Sequence, residues 1–136
     1  CDRQDVAVCA PTHPLAATDD KVAGITATEL VAHQLLLLER GTTSRAFLDQ
    51  LFIQAGVTPQ AMELGSIEVL KRYAAINLGV AIVPQMAVRE EEAANLLRTF
   101  VLPWVPPRAI GVVTRRNSYQ TPAAAAFLDL LTALIA

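Results

Sequence analysis

The chain has 136 residues, enough for one domain, and 53 % of them are hydrophobic, more than is usual for a soluble domain of that length. No stretch approaches the roughly 18 consecutive apolar residues of a membrane span, and a net charge of −2 argues against nucleic-acid binding by this segment itself. Two cysteines, Cys1 and Cys9, make no CxxC motif and no disulfide framework, so a reducing compartment is expected and both thiols are read as inert. The start, "CDRQDVAVCAP", is charged and lacks the apolar core of a signal peptide, and it carries no initiator Met. The reading is therefore a piece of a longer product.

In chain order, "DVAVCAP" (5–11) alternates and ends at Pro, as a strand does. A polar connection, "THPLAATDDKVAG", follows, in which Asp19 and Asp20 read as solvated and His13 as part of a surface turn. Residues 26–34 read as a short helix with Thr26 or Thr28 as N-cap and Glu29 near its positive end, closing at His33. "LLLLE" (35–39) is short enough to favour a buried strand. "RGTTSR" (40–45) is a loop feeding a helix over 44–55, where Phe47, Leu48, Leu51, Phe52 and Ala55 share a face and Gly56 closes the end.

"AMEL" (61–64) is a strand, and "GS" opens the helix "IEVLKRYAAIN" with Ser66 as N-cap and Glu68 in the first turn. Ile67, Leu70 and Ala74 give its apolar face, with Val69, Tyr73 and Ile76 beside them. Asn77 and Gly79 are read as ending that helix before the strand "VAIVP". "QMAVREEEAANLLR" reads as helical, with Glu90, Glu91 and Glu92 on a solvated face. "TFVLPWVPP" (99–107) is extended and broken by prolines, "RAIGVVTRR" (108–116) reads as a strand, and residues 118–136 as a helix with Pro122 in its first turn. Phe127, Leu128, Leu131, Leu134 and Ile135 form the apolar stripe of that last helix.

Alternating strands and helices predict an α/β fold with a mostly parallel sheet covered by helices on both faces. A strand such as "VAIVP" then has no polar side because neither of its faces meets water.

Four stretches in this order resemble the effector-binding domain of LysR-type transcriptional regulators: "VAVCAPTHPLA", "ITATELVAHQLLLLERGTTSRAFLDQLFIQAG", "MELGSIEVLKRYAAINLGVAIVPQMAV" and "AIGVVTRRNSYQTPAAAAFLDLLTALI". The resemblance covers residues 6–136. It implies a three-layer sandwich, a subdomain like those of type II periplasmic binding proteins. Residues 1–10 would be a crossing strand from the first subdomain, 11–103 the second subdomain, and 104–136 a return strand and C-terminal helix that belong to the first. The family's helix-turn-helix and most of its first subdomain would lie before residue 1. The high apolar content then has a second reading beside two-sided burial: part of it is interface to that missing lobe.

The implied ligand is a small molecule, most plausibly an organic anion, held between two lobes, with no cofactor and no metal. In open α/β sheets such sites lie at the carboxyl ends of strands. Two such ends here run into helix N-termini, whose free N–H groups and partial positive charge suit an anion. The candidates are Thr42, Thr43, Ser44 and Arg45 in the first, and Gly65 and Ser66 in the second. Thr43, Ser44 and Ser66 also have a plainer reading as helix caps. That plainer reading is favoured for Ser66, whereas three hydroxyls in a row exceed what one cap requires. Arg3, Gln4, Ala10 and Pro11, along the crossing segment, read as solvated connector.

No enzyme is expected. Cys9 and His13 are four apart across a strand end and a Pro and do not set up a nucleophile–base pair. No cluster has metal-ligand spacing, and "GTTSR" lacks the framework of a phosphate-binding loop. The resemblance further implies a cytoplasmic protein without membrane contact. Its effector domains would self-associate (dimer, or tetramer in the full-length protein), with the helix over 44–55 as the candidate surface, and DNA would be reached only through the N-terminal helix-turn-helix. Two rivals remain. A solute-binding protein of a transport system shares the lobe architecture, and Cys1 followed by Asp2 mimics a lipoprotein start. A purely structural dimerisation module would bind no ligand at all.

Overall fold

A computed structural model of the chain describes residues 1–17 and 24–135. Asp19 and Asp20 lie outside the described residues. The elements are β1 (Asp2–Arg3), β2 (Asp5–Cys9), α1 (Ala27–Val31), β3 (Leu35–Leu38), α2 (Thr43–Gln54), β4 (Ala61–Leu64), α3 (Ile67–Ala75), β5 (Val80–Pro84), α4 (Arg89–Ala93), β6 (Arg98–Val101), β7 (Arg108–Ala109) and α5 (Pro122–Ile135). Short 3₁₀ turns at Pro14–Ala17 and Gln85–Ala87 link them.

Among the described residues, five strands form one sheet in the order β4-β3-β5-β2-β6. β3 pairs parallel with β4 and β5, while β2 pairs antiparallel with β5 and β6. The sheet is therefore mixed: four strands run one way and β2 runs against them. Strand direction depends on which distant segment a strand meets, and an apolar run such as "DVAVC" reads the same in either direction.

Both faces of the sheet are covered, which gives three layers. On one face Ala7, Cys9, Leu35, Leu37, Val80 and Ile82 pack under Leu30 of α1 and Leu48 and Phe52 of α2. On the other, Val6, Val8, Leu36, Ala81 and Val83 pack under Leu70 and Ala74 of α3. Successive strand residues alternate between these cores as the pleat requires, so β2 and β5 are buried along their whole length.

Asn77 turns the chain out of α3 with φ 66°, a left-handed conformation that Asn tolerates. Gly79 has a different task from the helix stop expected of it: a Cβ there would sit 2.7 Å from the Gln34 carbonyl, so glycine lets β5 approach β3.

Several other expectations are corrected. The helical stretch over 85–98 is reduced to the turn Gln85–Ala87 and the short α4, and the strand β6 already starts at Arg98. Glu91 is not solvated face: it meets the Lys71 ammonium at 2.6 Å, and Glu68 and the Ala87 carbonyl complete that group's partners. Burial acts to lower the Lys71 pKa, but the hydrogen bonds from Glu91 and Glu68 outweigh it and hold the ammonium above its usual range. The same bond holds Glu91 below the usual carboxylate range.

The strand over 108–116 shrinks to Arg108–Ala109, paired antiparallel with Asp2–Arg3. Residues 110–121 are exposed, and no described residue of α5 is buried. Phe127 and Leu134 of the expected stripe are 62 % and 76 % exposed, and Leu130, outside that stripe, is 62 % exposed. Trp104 and Val105, by contrast, still belong to the sheet's core, with Trp104 Nε1 donating to the Ile25 carbonyl at 3.0 Å.

His13 is not in a surface turn but buried. Its Nδ1 accepts from the Leu15 amide at 3.0 Å, and its ring meets that of His33 edge-on at 5.0 Å. Burial first, then the charge of His33, holds its pKa below the ordinary histidine range. The unfolded chain thus takes up this proton at a higher pH than the folded one. The stability it supports is complete above about pH 6.5 and falls as pH drops through that value. The urea midpoint is expected to fall between pH 7 and pH 5.5, and to fall less in His13→Asn; an unchanged slope in that variant would assign the effect elsewhere.

Candidate functional site

The carboxyl ends of β3 and β4 lie side by side, and each runs into a helix. After β3, Thr42 is the N-cap of α2. Its Oγ1 accepts from the Arg45 amide at 3.1 Å and donates to the Glu39 carbonyl at 3.1 Å. The helix therefore starts at Thr43, one residue earlier than the sequence suggests. Thr43 is exposed at its first turn and Ser44 half-buried behind it. After β4, Gly65 and Ser66 are exposed, and Ser66 caps α3 by accepting from the Val69 amide at 3.2 Å. The hydroxyls of Thr42 and Ser66 are thus occupied by helix starts, whereas Thr43 and Ser44 have no such duty.

Arg45 is 4 % exposed. Its Nε donates to Asp49 at 2.8 Å, and its Nη1 to the Leu38 carbonyl at 2.9 Å and to Glu63 at 3.3 Å. Much of this guanidinium is spent closing the end of β3, and among the described residues Nη2 makes no hydrogen bond. Glu63 also meets Arg40 at 3.2 Å, so two arginines and two carboxylates balance here.

Ser44 and Arg45 share a small hollow with Leu38, Leu48, Ile67, Ile82 and Pro84, and with Arg3 of β1 and Asp5 of β2. Its volume, about 10 Å³, admits roughly one water. That is too little to enclose an effector-sized molecule. Thr42, Thr43, Gly65 and Ser66 lie at the same end of the sheet but do not line it.

The crossing segment is not solvated connector. Ala10 is core and Pro11 is exposed. Gln4 Nε2 donates to the Val105 carbonyl at 3.2 Å. Arg3 Nε donates to Asp5 at 3.0 Å, and Arg108 Nη2 reaches the other oxygen of Asp5 at 3.0 Å. Asp5 is 2 % exposed, and the Arg108 guanidinium lies over the Phe47 ring, 4.3 Å from its centre. Sequence reasoning missed both Asp5 and Arg108. The available signal was an acid opening an otherwise apolar strand, which needs a cation, with Arg3 two residues away on the same side.

Cys9 lies in the core, and burial pushes its thiol up to about 11, away from nucleophilic use. Among the described residues, no three His, Cys, Asp or Glu side chains gather as a metal would require, and no helix is long and apolar enough to cross a membrane.

The family model described as LysR substrate binding domain matches residues 1–136. The chain belongs to that family. This LysR substrate-binding domain is 31 % identical to the HTH-type transcriptional regulator CbbR of Xanthobacter flavus over 133 residues, covering 96 % of this chain and 39 % of that protein. A probable RuBisCO transcriptional regulator of Cyanidioschyzon merolae is 31 % identical over 122 residues, covering 86 % and 39 %. The chain thus spans about two fifths of the length of these relatives.

Among solved structures, the regulatory domain of Synechocystis PCC6803 CcmR in complex with 2-PG superposes with TM-score 0.84 at 26 % identity, covering 98 % of this chain and 63 % of that one. The effector-binding domain of QuiR in complex with shikimate superposes with TM-score 0.77 at 21 % identity, covering 94 % and 59 %, a likeness of fold. The fold of this LysR substrate-binding domain is therefore of the type II periplasmic-binding-protein-like kind, and the named relatives are transcriptional regulators.

Proposed function

We propose that the chain is the effector-sensing lobe of a LysR-type transcriptional regulator, which binds a small organic anion against the sheet end formed by Thr42, Thr43, Ser44, Arg45, Gly65 and Ser66. One observation supports the reading: the first turns of α2 and α3 and the buried Arg45 meet at a hollow of about 10 Å³, too small to hold a ligand alone, so the reading takes a second lobe to complete it. α5 and its exposed Phe127, Leu130 and Leu134 belong to that other lobe, the first subdomain, with residues 104–136 as the return segment leading to it. A ligand that prefers the closed arrangement shifts the regulator between two states, which is how the signal reaches DNA. DNA contact falls to a helix-turn-helix in the rest of the regulator, in keeping with the absence of net positive charge here. Self-association in the cytoplasm uses the outer face of α2, where Ile53 is 70 % exposed. No catalytic step is assigned.

Calorimetric titration with 2-PG and with shikimate, the ligands seen in CcmR and QuiR, tests the reading. Thr43→Val is expected to weaken binding about fivefold, the worth of one neutral hydrogen bond, at unchanged thermal stability. Thr42→Ala is expected instead to lower stability by about 1 kcal/mol through loss of the cap. Equal affinity in wild type and Thr43→Val would remove Thr43 from the site, and no heat with either ligand would count against anion binding at this wall.

A further inference from the structure

The two crossing segments pair as a short antiparallel ribbon in which Arg3 stands directly opposite Arg108. Like charges in that position repel, and both bear on one buried carboxylate, Asp5. Two guanidinium charges against one carboxylate leave +1 uncompensated at this point. Around the neighbouring hollow the other charges cancel: Arg40 and Arg45 are matched by Asp49 and Glu63. Asp2, the ribbon's remaining charged side chain, is exposed and makes no ion pair with either arginine among the described residues, so the excess positive charge sits at Arg3 and Arg108.

The donors are also in excess. A guanidinium has five N–H groups. Among the described residues, Arg3 hydrogen-bonds through Nε alone and Arg108 through Nη2 alone, and Arg108 Nε is buried with no partner. A buried charged N–H without an acceptor is costly, and nothing within this lobe relieves it. Asp5 holds both side chains in place, the Phe47 ring fixes the plane of Arg108, and Arg3 and Asp5 themselves line the hollow beside Ser44 and Arg45. The arrangement is preorganised for a planar or tetrahedral oxyanion, which would supply the missing charge and acceptors together.

We propose that Arg3 and Arg108, positioned by Asp5, form the anion-reading element of the site, taking a carboxylate or phosphate group of the effector at the hinge. The proposal rests on the cleft reading above and adds to it where the charged end of the ligand lies. It also gives the ligand a mechanical role: an anion held by both arginines engages both crossing segments at once, the places where two lobes must pivot.

The test is a ¹⁵N titration of the protein with inorganic phosphate and, separately, with acetate, at ionic strength held constant with sodium chloride. The Arg Nε–Hε signals of Arg3 and Arg108 are observable because one is bonded to Asp5 and the other is buried. The expected result is a saturable shift of both signals with at least one of the two anions; which anion is bound tighter tells carboxylate from phosphate recognition. R108Q and R3Q should each raise the midpoint about tenfold or more, as loss of a charge-assisted hydrogen bond does. R40Q, outside the hollow, should leave it unchanged. Should R108Q unfold, R3Q carries the test, since Arg3 takes no part in the Phe47 stack. Movement of the Thr43 and Ser44 amides without the two Nε signals overturns the hinge element and leaves the cleft reading standing. Shifts no larger than those given by chloride alone, at either place, overturn both.

Discussion

Asp5→Ala is expected to destabilise the protein by about 3 kcal/mol, the lower end of the cost of breaking a buried ion pair from one side. The value sits at the lower end because the side chains of Arg3 and Arg108 are each 22 % exposed and recover some hydration, whereas Asp5 is buried. Two guanidinium groups would then face each other across the β1–β7 ribbon with nothing between them. Urea unfolding measures the loss, and a double-mutant cycle with Arg108→Ala should show coupling of about 1 kcal/mol or more. A loss below 1 kcal/mol with additive effects would mean that the crossing segments are held by their backbone pairing alone. Both segments enter the lobe at this carboxylate, so the same variant should also loosen the ribbon. Faster exchange of the Ile110 amide, which donates to the Cys1 carbonyl at 2.8 Å, reports that.

Phe52→Ala should cost more, about 3–5 kcal/mol, because the ring is 1 % exposed and its removal leaves a cavity that the rigid sheet beneath cannot close. Phe52 packs against Trp104, with ring centres 5.3 Å apart, and so joins α2 to the segment leaving β6. Ile53→Ala, one residue further along and 70 % exposed, should change stability by no more than about 0.5 kcal/mol. Thermal or urea unfolding of the pair separates the two faces of α2. If Ile53→Ala is as damaging as Phe52→Ala, the outer face of α2 is already covered in the isolated protein, and self-association is the first explanation to examine by sedimentation.

β3, β4 and β5 were readable because each is a brief apolar run between loop residues, and each pairs in parallel in the sheet interior or at its β4 edge. The starts of α2 and α3 were readable to within a residue because caps act over three positions. Ser66 reaches the Val69 amide and Thr42 the Arg45 amide, and such short links leave a local signature. The candidate wall was legible for the same reason, being the place where strands end and helices begin.

What escaped the reading shares the opposite property. Asp5 and Arg108 are joined across 103 positions, and Lys71 and Glu91 across 20. His13 appeared to sit in a surface turn until His33 and the Leu15 amide were seen around it. "AIGVVT" has the β-branched look of a strand, yet beyond the Ile110 amide, which still donates to Cys1, residues 111–114 pair with no strand among the described residues and stay exposed.

Local periodicity, capping residues and two-sided apolar runs let the sequence determine by itself the order of the main elements from β2 to β5, the helix cover on both sheet faces and the strand-to-helix junctions after β3 and β4, because those features are set by neighbours a few residues apart. The direction of β2, the burial of Asp5 between two arginines, the meeting of Arg45 with Glu63, and the exposed face of α5 were decided by tertiary structure alone. Each depends on which distant groups meet, and a charge or an apolar stripe carries no local mark of the partner that will neutralise or cover it.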